Sequence, residues 1–115
     1  MSLSSKQQRF TQCIGMLIMF ATHRGYALTM GDAYRDSRAF GSFGKKKLYA
    51  AAHSVHKKRL ACDFNLFVNG EYIQDGNHDA WEILGSFWET LDISARWGGR
   101  FQDYGHFSFE YNGYK

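Results

Sequence analysis

Proline is absent from this chain, so its turns have to be made by glycine, which occurs twelve times. Cysteine is nearly as scarce. Cys13 and Cys62 stand far apart, in no metal-ligating or redox spacing, and read as reduced and buried. The apolar run Ile14 to Ala21 is too short to cross a bilayer, and Gly25 follows closely. No cleavable signal peptide is visible. The chain is therefore expected to be made in the cytoplasm as a soluble protein without stable membrane insertion. There is no internal repeat and no nucleic-acid-binding motif. With 115 residues the expectation is one domain, 1–115, burying about two-thirds of its unfolded surface.

What is present is bulky and mildly basic. Aromatics make up 17% of the residues, enough for a core with rings left over for a cleft. The net charge of +3 is concentrated in Lys45-Lys46-Lys47 and Lys57-Lys58-Arg59. Such runs are either a solvated rim or an attraction to an anionic polymer, cell wall or nucleic acid.

Hydrophobic periodicity lays out an α+β chain. Ser4 and Ser5 offer an N-cap to a helix near 6–24, whose stripe is Phe10, Cys13, Ile14, Leu17, Ile18 and Ala21. His23 and Arg24 suit its last turn and Gly25 closes it. Met16 and Met19 read as gap-fillers. Tyr26 to Met30 is a strand candidate, and residues 60–73 form a hairpin about Asn69-Gly70. Asp79 can cap a second helix near 80–91 with Trp81, Leu84, Trp88 and Leu91 in one stripe, leaving His78 as a loop residue. From 106 to 111 the chain alternates: His106, Ser108 and Glu110 on one face, Phe107, Phe109 and Tyr111 on the other, as a half-buried strand does. One-sided helices and hairpin-linked strands predict a small antiparallel sheet with flanking helices packed away from the cleft.

The chemistry centres on Ser54-Val55-His56-Lys57-Lys58-Arg59-Leu60-Ala61-Cys62-Asp63. Imidazole and carboxylate are two of the three common zinc donor types. On one uninterrupted strand, positions 56 and 63 would face opposite ways, so both reach one ion only if the chain bends at Lys57 to Arg59. A salt-bridged histidine would give the same letters. A third candidate donor, His106, lies three residues after Asp103 across a Gly105 turn. His53 lies close by and reads as structural or at the cleft edge.

Ser54-x-His56, Ala61-x-Asp63 and Asp103-x-x-His106 resemble the motifs of the zinc peptidoglycan peptidases. These include VanY-type D,D-carboxypeptidases, VanX-type D,D-dipeptidases and phage L-alanyl-D-glutamate endolysins. The resemblance runs from about residue 30 to 111, with both motifs in order and a Trp97-Gly98-Gly99 element ahead of the second. One position departs: Arg59 stands where the family pattern has glycine. The resemblance implies a VanY/Hedgehog-like α+β fold with a Zn2+ site at the sheet, held by His56, Asp63 and His106. It implies a substrate arginine as well, with Tyr34-Arg35 the matching context and Arg38 a nearby rival. Such a guanidinium would pair with a substrate carboxylate or a developing oxyanion.

Three protein ligands leave a fourth zinc position open, the arrangement of a catalytic site. Asp103 is the candidate general base, close to a ligand without being one. Glu110 shares the His106 face but lies ~13 Å along a regular strand, too far to compete. Ser54 has no base partner and is expected to hydrogen-bond at the site edge. Trp97 walls the cleft or packs in the core.

The expectation is a zinc-dependent, monomeric peptidoglycan peptidase of the phage endolysin branch, cutting the L-alanyl-D-glutamate bond of the stem peptide. It would act on the cell wall from the periplasm, after a separate membrane-permeabilising protein lets it out. D,D-carboxypeptidase activity stands second. A basic nucleic-acid-binding module and a domain with a purely structural zinc are the readings from other classes.

Overall fold

The structure, a computed structural model, describes residues 2–31 and 55–115. Arg35, Arg38, His53, Ser54 and the lysine run 45–47 lie outside the described residues.

The first helix, α1 (Leu3–His23), buries Phe10, Cys13, Leu17 and Ala21, a stripe at spacings of three and four that faces the core. It starts earlier than expected: Ser2, not Ser4 or Ser5, is the N-cap, and its side chain accepts the Ser5 N–H. Gly25, at φ +82°, turns the chain out of α1 into β1 (Tyr26–Met30). Met16 and Met19 fill no gap. They are 38% and 57% exposed, because their positions rotate off the buried stripe toward the Phe20–Phe87 ring stack.

Among the described residues four further strands join the sheet: β2 (Ala61–Val68), β3 (Glu71–Tyr72), β4 (Ala95–Trp97) and β5 (His106–Phe109). The order is β1-β2-β5-β4, with β3 paired to the far end of β2. Every ladder among the described residues is antiparallel. The β2–β3 turn is Asn69-Gly70, with φ +53° and +79°, a geometry these two residues adopt at little cost.

A further helix among the described residues, α2 (Asp79–Thr90), buries Trp81, Leu84 and Trp88. Its N-cap is His78, not Asp79: the His78 imidazole Nδ1 accepts the Ala80 N–H, and Asp79 serves the first turn as a negative charge.

The helices cover the face of β5 that carries Phe107 and Phe109. Phe10 meets Trp88 and Phe109 edge-on, with centroids 5.7 and 5.3 Å apart, and Trp88 meets Phe107 at 5.9 Å. Such pairs add about 0.5–1.5 kcal/mol each beyond area burial. The Trp88 indole N–H is shared between the carbonyls of Arg96 and Ser108, which ties α2 to β4 and β5. His106 and Ser108 face away from this aromatic layer.

The expectation of a half-buried last strand is corrected. All four residues of β5 are buried, because β2 and β4 flank it and both faces are covered; it ends at Phe109, not at 111. Glu110 and Tyr111 lie beyond it. Trp97 belongs to the core: it is 3% exposed, packs on Gly85 and Gly99, and donates its indole N–H to the Tyr104 carbonyl at 2.8 Å.

Candidate metal centre

His56 sits on a helical turn that ends in a Schellman motif. Leu60 N–H donates to the Val55 carbonyl and Arg59 N–H to the His56 carbonyl, both at 2.9 Å. Val55 and Leu60, the positions that carry the motif's apolar contact, are both buried in the core. The motif needs its penultimate residue in the left-handed region, and Arg59 has φ +58°. The one position where the chain departs from the family's glycine is thus the one where glycine would be unstrained. The bend expected at Lys57 to Arg59 is this turn. It brings His56 back over the start of β2, and it leaves the Lys57, Lys58 and Arg59 side chains exposed.

Asp63 and His106 are held by the sheet itself. They are direct register partners across β2 and β5, so their side chains leave the same face side by side. Asp63 Oδ1 lies 3.0 Å from His106 Nδ1, and Asp63 Oδ2 lies 3.2 Å from His56 Nε2. One carboxylate therefore spans two imidazoles, whose rings are tilted 67° to each other at 5.3 Å. One donor atom from each of the three residues falls within 4.8 Å of the others.

His106 is fully buried and Asp63 is 7% exposed, while the His56 side chain is 19% exposed. Burial by itself would raise the Asp63 pKa. The hydrogen bonds from His106 and His56, with their charges, outweigh it and hold the carboxyl well below the usual range. Asp63 is therefore an anion at any physiological pH.

Asp103 stands beside this trio. Its Oδ2 is 4.0 Å from His106 Nδ1, and its side chain is one-third exposed. The loop that carries it is pinned along its length. Asp103 N–H donates to the Gly98 carbonyl, His106 N–H to the Asp103 carbonyl, and Phe64 N–H to the Gly105 carbonyl. Gly98 is needed for this approach, because a Cβ there would overlap the Asp103 carbonyl oxygen and crowd the His106 Cβ. That gives the Trp97-Gly98-Gly99 element a physical role: Trp97 fills the core while Gly98 lets the Asp103 loop close onto the sheet. Glu110 is turned elsewhere, with Oε1 3.5 Å from Arg96 Nε.

The second nitrogen of His106 faces a main-chain oxygen of Lys115, with Nε2 3.2 Å from it. Sequence reasoning missed this contact, since a main-chain oxygen has no signature of its own. The hairpin that delivers it does have one: Asn112-Gly113, the same doublet as Asn69-Gly70.

Three donors of zinc-binding type, converging from a turn and two strands, with a nearby carboxylate held short of the cluster, are the makings of a hydrolytic metal centre. The D-alanyl-D-alanine carboxypeptidase family model matches residues 49–109, which contain all four of these side chains. The chain belongs to that family of zinc peptidoglycan peptidases. No curated protein matches it significantly.

The donor set fits zinc. It comprises two imidazoles and one buried, ionised carboxylate, with His56 the most exposed of the three. Among the described residues it is the one His/Cys/Asp/Glu group with metal-binding geometry. Cys62 adjoins Asp63 in sequence but takes no part in it, and Cys13 lies buried in α1. Both thiols are free.

Proposed function

We propose that this protein is a zinc-dependent endopeptidase of the phage endolysin type, cutting the L-alanyl-D-glutamate bond of the peptidoglycan stem. The observation that carries the reading is the carboxylate of Asp63 held between His56 and His106 at 3.2 and 3.0 Å, with Asp103 alongside. When bound, zinc supplies a Lewis acid that polarises the scissile carbonyl and makes water a nucleophile near neutral pH.

The chain's own residues do the rest. His56, Asp63 and His106 hold the ion and fix where the carbonyl must lie. Asp103, close to the ligands but pinned by its loop, takes the proton from attacking water and returns it to the departing amine. Arg35 anchors a substrate carboxylate, by resemblance to the family pattern. The exposed Lys57, Lys58 and Arg59 beside His56 draw the anionic wall polymer to the open side of the site. In this reading the protein acts on the wall from the periplasm as a monomer, released by a separate membrane-permeabilising protein.

The test is clearance of purified peptidoglycan with and without chelator, followed by mass spectrometry of the products. L-alanyl-D-glutamate cleavage leaves alanine on the muramic acid and creates a new glutamate amino terminus. Release of free D-alanine instead would assign the chain to the D,D-carboxypeptidases of the same family. Zinc binding without cleavage of any stem bond would leave a structural metal.

A further inference from the structure

The sheet face that carries the metal donors continues past them. Side chains alternate along β2, so Asp63, Asn65 and Phe67 leave the same face at steps of about 6.6 Å. Register partners widen the row: Thr29 of β1 stands beside Asn65, and Tyr72 of β3 beside Phe67. Gly31 comes next after β1. Its N–H donates to the Asp63 carbonyl at 2.8 Å, and a Cβ there would come within 3.1 Å of the Asp63 Cβ. The glycine thus places no side chain between the Asp63 carboxylate and Thr29.

Asparagine is disfavoured inside strands, yet Asn65 sits in the middle of this eight-residue one. Its amide is loosely held. Nδ2 donates to Thr29 Oγ1 and Oδ1 accepts from the Tyr72 hydroxyl, both at 3.4 Å, beyond the usual range of about 2.7–3.2 Å. Such bonds are readily exchanged for shorter ones to a ligand. A side chain offering both donor and acceptor suits a peptide group, which offers one of each.

Farther along, the Phe67 and Tyr72 rings stack across the strands at 5.3 Å with 29° between their planes, and Tyr72 stays 48% exposed. Asp63 divides the strand by charge: the exposed Lys57, Lys58 and Arg59 lie before it, and this neutral row lies after it. The basic end suits the carboxylates of D-glutamate and the residues beyond. The neutral rings suit the C–H face of a sugar. Lengths agree, since L-alanine and the lactyl link to the sugar together span about two residues, ~7 Å. A stem laid along β2, with its scissile carbonyl at the metal, has its L-alanyl amide over Asn65 and its pyranose over the ring pair.

We propose that Asn65 and the Phe67–Tyr72 pair form the subsite for the glycan side of the scissile bond. Asn65 holds the L-alanyl peptide group, and the Tyr72 ring stacks on N-acetylmuramic acid. This rests on the stem-peptide reading above, and it makes the protein select stems still attached to the glycan.

The experiment gives the zinc-loaded protein two substrates: N-acetylmuramyl-L-alanyl-D-glutamate, and the same dipeptide with an acetyl group in place of the sugar. It also follows the Asn65 side-chain amide by 1H–15N NMR as the product N-acetylmuramyl-L-alanine is added. Wild type should show a KM about tenfold lower for the sugar-bearing substrate, the upper figure for one stacked ring. Tyr72→Ala should erase that difference, while Tyr72→Phe keeps the ring and retains most of it. Asn65→Ala should raise KM for both substrates about tenfold, the net contribution of one hydrogen bond, with zinc content unaltered. A merely structural role would instead lower zinc content, or kcat on both substrates alike.

L-alanyl-D-glutamate cleavage with equal KM for the two substrates overturns the subsite and leaves the activity standing. So does a sugar preference that survives Tyr72→Ala, or an Asn65 signal that the product does not move. Sugar-dependent shifts at Asn65 without cleavage of either substrate overturn the activity and leave the subsite. Neither cleavage nor shift overturns both.

Discussion

Asp63 and His106 are register partners on neighbouring antiparallel strands, and their side chains meet at 3.0 Å. The spacing between two of the three donors is thus a property of the β-ladder, fixed by main-chain hydrogen bonds before any ion arrives. The third donor is added by a separate turn. Removing each member should have a different result.

His106→Ala should abolish turnover and metal binding together, because it removes a buried donor that also hydrogen-bonds Asp63. Elemental analysis of the purified variant checks this. One tightly held zinc per chain in His106→Ala would show that His106 is not a ligand.

Asp103→Asn keeps the shape of the side chain and removes its basicity. Zinc should stay bound while turnover on purified peptidoglycan falls by about two to four orders of magnitude, the usual contribution of a general base. Asp63→Asn should instead lose zinc as well as rate. If Asp103→Asn loses zinc, or works at near-normal speed, the division of roles between these carboxylates is wrong. Glu110, engaged with Arg96, would then be the next residue to replace.

Arg59→Gly should stabilise the fold by about 1 kcal/mol, since a side chain at φ +58° carries a left-handed backbone penalty that glycine does not. Urea unfolding of the metal-free protein measures it. A loss of stability would mean that the exposed Arg59 side chain contributes more than its backbone costs.

Burial, and secondarily the charge of Asp63, pushes the Cys62 thiol up to about 11 from its usual 9.0. A raised thiol pKa favours the neutral form in the folded state. The resulting stability is complete below 9.0 and is lost as pH rises toward 11. In metal-free protein on a Cys13→Ala background, alkylation of native Cys62 should keep accelerating up to that pH. An inflection near 9 would contradict it.

The sequence made the fold legible where one kind of periodicity dominated. The stripes of α1 and α2, the Asn69-Gly70 hairpin and the antiparallel pairing all read directly. Alternation over 106–111 misled, because it reports which residues share a face and not whether both faces are covered. An interior strand with His106 and Ser108 on its second face still alternates, and only tertiary packing buries it. His78 carries no cap signal in the sequence, because an imidazole is a less frequent helix cap than the neighbouring carboxylate. The three donors were legible as a pattern, and the turn at 57–59 was required by the parity of 56 and 63. What the pattern could not hold was main-chain detail: the left-handed Arg59, the close approach at Gly98, and the Lys115 main-chain oxygen.

The unequal exposure of the donors has a kinetic consequence. Asp63 and His106 belong to an interior ladder covered on both sides, where amide protons exchange with solvent only when the sheet itself opens. His56 rides on a short turn and is the most exposed of the three. In the proposed zinc reading an ion enters and leaves past this donor, and the speed of metal stripping should follow local fraying of residues 55–60. Changes within 97–109 would alter how tightly the ion is held. Changes in the turn would alter how long it stays.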